Sequence, residues 1–155
     1  KLEILKDPHC GAFAVIRLCT YFLAYFCVAF CIRFSPRVGL CWTLALVLER
    51  GLSGLAVATF PMAKNTGLAH TFATAADRES VQKILIVLSV LLAAALIALG
   101  GGALVAAALL VLWRYHHVAV KEFGGITGDL AGWFLQKAEF WMLAALAASQ
   151  WGGIL

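Results

Sequence analysis

Val81-Gln82-Lys83-Ile84-Leu85-Ile86-Val87-Leu88-Ser89-Val90-Leu91-Leu92-Ala93-Ala94-Ala95-Leu96-Ile97-Ala98-Leu99 is the stretch that decides the fold. Beyond Lys83 it holds no charge and a single hydroxyl. A hydrocarbon layer about 30 Å thick takes roughly 20 helical residues to cross, and this run is long enough. In lipid every backbone amide must be paired within the segment, so a helix is the expected form. Gly100-Gly101-Gly102 follows as a hinge, and a further apolar run goes from Ala103 to about Tyr115, short unless it continues through His116 and His117. Upstream lie two more runs, Gly11 to Ile32 and Val38 to Phe60, and the last starts near Asp129 and reaches the chain end.

Composition points the same way. The chain has 155 residues, 63% hydrophobic and 13% charged, where soluble domains carry about 45–50% apolar and about 25% charged residues. So much hydrocarbon cannot be hidden inside one small water-facing globule. A soluble enzyme, a disordered tail and a nucleic-acid-binding domain are disfavoured. The net charge of +4 is too small and scattered for a phosphate-tracking stripe. No repeat and no Pro/Ser-rich linker divides the sequence, which predicts one all-α domain over residues 1–155, a polytopic membrane bundle of about five transmembrane helices. No secretory signal is present, and Lys1 reads as an entry into the middle of a longer chain. Cys10, Cys19, Cys27, Cys31 and Cys41 form no C-x-x-C pair. They read as small apolar fillers against lipid or neighbouring helices.

With five crossings, one side receives Lys1, Lys6, Lys64, Arg78, Lys83, Arg114 and Lys121, and the other only Arg33 and Arg37. Basic loops stay in the cytoplasm. Asp7, Asp77, Glu79, His116, His117, Glu122 and Asp129 fall on that same side. Either a cytoplasmic site for an anionic substrate or a plain topogenic signal explains the asymmetry.

The most informative segment is Gly124-Gly125-Ile126-Thr127-Gly128-Asp129, leading into the last helix. Glycines permit tight turns and close approach to a ligand. Amides at a helix N-terminus suit phosphate, and Asp129 can cap the helix or bind a divalent cation. Gly132 and Gln136 share its face and Glu139 follows. The structural alternative is a glycine turn, an Asp cap and close helix packing through Gly128-x-x-x-Gly132. Lys6-Asp7-Pro8 forms a second polar element, read either as a helix-entry turn or as a carboxylate beside a lysine able to ligate metal or orient phosphate. Glu49 and Arg50 lie inside an apolar run, where charge is costly and function the default. An interhelical ion pair is the structural alternative. His116 and His117 are neighbours on one helix and cannot both face one metal, so with Trp113, Arg114 and Tyr115 they read as an interface belt.

Leu2 to Phe13, Arg50, Gly67-Leu68-Ala69-His70-Thr71-Phe72, and Gly124-Gly125-x-Thr127-Gly128-Asp129-x-x-Gly132 with Glu139 occur in the same order in cobalamin synthase, adenosylcobinamide-GDP ribazoletransferase. The chain resembles the C-terminal portion of that family. Its members continue upstream with an aspartate-rich element that has no counterpart here, and Gln136 stands where relatives usually have another glutamate. Other membrane nucleotide-alcohol phosphotransferases carry a D-x-x-D-G-x-x-A-R pattern that this sequence lacks. A small transporter or packing subunit would explain Glu49 and Arg50 but not polar residues confined to one face.

The resemblance implies a membrane enzyme of vitamin B12 biosynthesis, in the plasma membrane with its site toward the cytoplasm. Its substrates are adenosylcobinamide-GDP and α-ribazole or its 5′-phosphate. Attack on the phosphorus attached to cobinamide releases GMP. It implies Mg²⁺, with Asp7, Asp129 and Glu139 as metal-site residues and Asp129, Asp7 and Lys6 as catalytic ones. Arg50, Lys64, Gly124, Gly125, Thr127 and Gly128 would bind the phosphates. The lipid bilayer is a partner, nucleic acid is not, and a homo-oligomer stands as an alternative to a lone chain. With the aspartate-rich element absent, the chain by itself is expected to be inactive.

Overall fold

A computed structural model describes residues 11–63 and 78–155. Among them run five helices: α1 (Ala12–Phe30), α2 (Pro36–Thr59), α3 (Arg78–Ala98), α4 (Gly102–Phe123) and α5 (Gly128–Trp151). Each begins and ends within a few residues of the apolar runs, except α4. It passes through both histidines and stops only at Gly124, whose φ of 73° puts it in the left-handed region that ends helices. The chain is thus an all-α polytopic membrane bundle. The first four helices are long and apolar enough to cross a membrane. The expectation of five differs at α5. At 24 residues it has the length, but Asp129, Lys137 and Glu139 make its first half more polar.

Local signals set the boundaries. Ser35 caps α2 by accepting from the Val38 amide at 3.2 Å, with Pro36 at the first helical position. Its φ is preset there and its missing N–H costs nothing. Arg37 closes the hinge between α3 and α4, donating from Nε (3.0 Å) and Nη2 (2.7 Å) to the Leu99 carbonyl. Gln150 near the end of α5 exchanges two bonds with the Arg33 backbone, at 2.9 and 2.7 Å. These contacts gather the α1–α2 turn, the α3–α4 hinge and the end of α5 at one end of the bundle. The α2 exit and the α4–α5 connection lie at the other.

The core sits among α2, α4 and α5, with Leu48, Leu104, Tyr115, Phe134, Met142 and Leu146 fully buried. α2 and α3 approach closely where Gly51 faces Ser89 and Gly54 faces Leu85, the small-residue contact that helix pairs use in lipid. The outer faces are apolar as well: Phe22, Phe26 and Phe30 on α1, and Val87, Leu91 and Ile97 on α3, are all exposed. A contiguous apolar exterior of this kind is not left open to water. α1 buries no residue and is held to α5 by side chains. The Tyr21 hydroxyl donates to the Gln136 carbonyl at 3.3 Å, and Tyr25 donates to Glu139 at 2.9 Å.

Candidate active site

The connection from α4 to α5 is built by glycines doing different jobs. Gly124 turns the chain, its N–H donating to Val120 O at 3.1 Å while Gly125 N–H reaches Ala119 O at 2.9 Å. These bonds satisfy carbonyls that the helix end would otherwise orphan. Gly125, at φ 152°, presses against the chain leaving α2. A Cβ there would lie 2.5 Å from Pro61 O, Met62 C and Ala63 N. That closeness lets Ile126 pair in parallel with Met62: Ile126 N–H donates to Pro61 O at 2.8 Å, and Ala63 N–H donates to Ile126 O at 3.1 Å. The Ile126 side chain, 1% exposed, anchors the pair in the core.

The next residues settle which side chain caps α5. Thr127 does, its Oγ1 accepting from Leu130 N–H at 3.3 Å. Asp129 is therefore not the cap. It stands exposed in the first helical turn and takes no hydrogen bond or ion pair from another described residue. A carboxylate is favoured there by the helix dipole. The close-packing alternative also fails among the described residues, since a Cβ at Gly128 or Gly132 would meet nothing within 4 Å. No described residue covers the Gly128–Asp129–Gly132 face.

Sequence reasoning missed the pairing of Pro61–Ala63 with the glycine connection, and the clamp beside it. Arg78 Nε and Gln82 Nε2 both donate to the Ala58 carbonyl, at 2.7 and 2.5 Å, tying the start of α3 to the end of α2. Only the glycine pair hinted at the first, because backbone pairing leaves no side-chain pattern.

The remaining sequence candidates scatter. Lys6, Asp7 and Lys64 lie outside the described residues, as do Gly67 to Phe72 and Asp77. Arg50 is exposed on α2, about 14 Å along the axis from that helix's end at the glycine connection. Glu139 lies ten residues beyond Asp129 on the same helix, about 15 Å along its axis, and its Oε1 accepts from the Tyr25 hydroxyl at 2.9 Å. Among the described residues no three His, Cys, Asp or Glu side chains converge on a metal position. The two histidines diverge as expected, His116 edge-on to Phe60 with ring centroids 4.5 Å apart and His117 stacked on Trp113 at 6.0 Å. Glu49 forms no ion pair among the described residues. It is fully buried, with neither carboxylate oxygen hydrogen-bonded.

Comparison with known proteins sets this geometry in context. The sequence profile of the cobalamin-5-phosphate synthase family matches residues 1–147. An adenosylcobinamide-GDP ribazoletransferase of Lachnoclostridium phytofermentans is 39% identical over 150 residues, covering 95% of this chain and 56% of that protein. One from a Geobacillus species is 31% identical over 146 residues, covering 90% and 55%. One from Pseudomonas syringae pv. tomato is 29% identical over 147 residues, covering 94% and 59%. The chain spans a little over half the length of these curated relatives. No solved structure matches it.

Proposed function

Because this chain belongs to the cobalamin-5-phosphate synthase family, we propose that it carries the pyrophosphate-binding face of an adenosylcobinamide-GDP ribazoletransferase. In the transfer, the 5′-hydroxyl oxygen of α-ribazole bonds to the phosphorus attached to cobinamide. The bond from that phosphorus to the bridging oxygen breaks, GMP leaves with that oxygen, and the hydroxyl proton is lost. Such a reaction needs alignment and charge neutralisation more than covalent catalysis. One observation carries the reading: the Gly124–Asp129 connection, pinned to Pro61–Ala63, presents at the start of α5 an exposed carboxylate that no described residue pairs with.

The chain's own groups have separable tasks. The backbone amides of Gly128 and Asp129, in the first turn of α5, are free of intrahelical partners and suit phosphate oxygens. Thr127 accepts from Leu130, which leaves its own hydroxyl proton for a phosphate oxygen. Phosphate oxygens beside Asp129 would repel its charge unless a cation lay between them. Asp129 thus fits one position of an Mg²⁺ site, with Asp7, outside the described residues, as the companion the resemblance suggests. When bound, Mg²⁺ would neutralise charge developing on the transferring phosphoryl group. Lys6, Lys64 and Arg50 are proposed for the phosphates, and the glycine-connection end is proposed to face the cytoplasm, since Lys64, Arg78, Lys83, Arg114 and Lys121 fall on its side and the α1–α2 and α3–α4 turns opposite hold just Arg33 and Arg37.

The test is GMP release by a full-length family member carrying this chain, supplied with adenosylcobinamide-GDP and α-ribazole in vesicles. One GMP per corrinoid product, absent without α-ribazole, is the expected result. Release of GDP instead would place the broken bond elsewhere and refute the proposal.

A further inference from the structure

Each described helix carries a basic residue at one common level. Arg17, Arg50, Lys83, Arg114 and Lys137 stand on α1 to α5 in turn. Each lies about 18–23 Å along its helix from the bundle end that holds the Arg37–Leu99 contact, at 1.5 Å rise per residue. Lys83 has Glu79 at 3.6 Å, and Arg50 adjoins Glu49 in sequence. Arg17, Arg114 and Lys137 pair with no carboxylate among the described residues. Cations within or beside an apolar layer are expensive unless an anion meets them.

Arg114 and Lys137 flank a groove of about 670 Å³ between α4 and α5. Its floor is apolar, from Ala107, Leu110 and Val111. Trp133 and Trp141, one turn either side of Lys137, complete it. The order along the helices matters. Trp133 lies toward the glycine connection, the two cations come next, and Leu110, Val111, Trp141 and Ala107 continue away from it. That sequence of chemistry is the profile of a phospholipid from headgroup to acyl chain. Among the described residues no acidic side chain lines the groove, so a zwitterionic headgroup would find a place there for its phosphate and none for its ammonium.

We propose that the α4–α5 groove binds an anionic phospholipid, its phosphate held between Arg114 and Lys137 and an acyl chain lying along Ala107, Leu110 and Val111. The groove begins at Trp133, one turn along α5 from Asp129, its two cations lie about 12 Å from Asp129 along that helix, and a lipid held there would anchor α5 to its leaflet.

Bromine-labelled lipids test it through the two indoles. A full-length family member carrying this chain is reconstituted in phosphatidylcholine vesicles. The fluorescence owed to the groove is the part removed by Trp133→Phe with Trp141→Phe. Phosphatidylglycerol brominated on its acyl chains should quench that part at roughly thirtyfold lower mole fraction than brominated phosphatidylcholine, about fivefold for each cation. Arg114→Gln with Lys137→Gln should abolish the preference, and Arg114→Lys with Lys137→Arg should keep it. Equal quenching by both lipids overturns the proposal. So does loss of the preference on adding inorganic phosphate, which would assign the cations to a soluble anion. Protection from both lipids also overturns it, since the groove is then filled by protein.

Discussion

Asp129→Asn in a full-length family member is expected to slow turnover on the order of a hundredfold, about 2.7 kcal/mol of transition-state stabilisation, with thermal stability nearly unchanged. The separation of the two effects follows from the capping geometry. Thr127, not Asp129, accepts the Leu130 N–H, so removing the Asp129 charge takes away no cap. What stability it loses is the interaction of one exposed carboxylate with the helix dipole, about 0.3–1 kcal/mol. Thr127→Ala should lose about 1 kcal/mol of stability through the missing cap, and rate as well, because its hydroxyl is proposed for a phosphate oxygen. Rate and unfolding midpoint measured together on both variants decide the matter. A well-folded Asp129→Asn protein of near-normal rate would return Asp129 to a surface role. A large loss partly relieved by added Mg²⁺ is the outcome expected of a ligand.

Gly125→Ala should be the most damaging single change in the connection. Two penalties coincide there: a φ of 152° that side chains rarely adopt, and a Cβ 2.5 Å from three backbone atoms of Pro61–Ala63. Backbone strain alone is worth about 1–3 kcal/mol, and the chain leaving α2 must also move, breaking the Ile126–Pro61 and Ala63–Ile126 bonds. A loss above about 3 kcal/mol, or failure to accumulate in the membrane, is expected. Gly132→Ala is the contrast. Its Cβ meets nothing, and alanine is the better helix former by about 1 kcal/mol. Thermal unfolding in detergent checks both, and a Gly125→Ala midpoint matching wild type would show that the close approach does not hold the loop.

The helices were legible because lipid imposes one rule on every apolar run, so hydropathy located all five and, apart from the end of α4, placed their bounds within a few residues. The end of α4 was less so. From Tyr115 to Phe123 the residues turn mixed and the apolar signal fades, yet a helix continues until something stops it, and Gly124 does. The choice between Thr127 and Asp129 as cap could not be made from residue type, since both are good caps. Ile126 decides it by anchoring the chain one residue earlier. The bridge from Ile126 to Met62 joins backbones far apart in sequence and leaves no trace except a glycine. For Glu49, charge inside an apolar run points to a function or to an interhelical ion pair. In the fold it is buried and its oxygens take no hydrogen bond from a described residue, which no residue pattern could have shown.

The central claim, that the open face of α5 beside the glycine connection receives the substrate pyrophosphate, is tested most directly at Gly132. This position lies one turn beyond Asp129 and has room for a side chain. Gly132→Cys, in a full-length active protein with its other cysteines replaced, is alkylated by a maleimide with and without adenosylcobinamide-GDP. Slower alkylation in the presence of that substrate, and not with α-ribazole alone, is what the account predicts. An alkylation rate indifferent to adenosylcobinamide-GDP, at concentrations that support turnover, would contradict it.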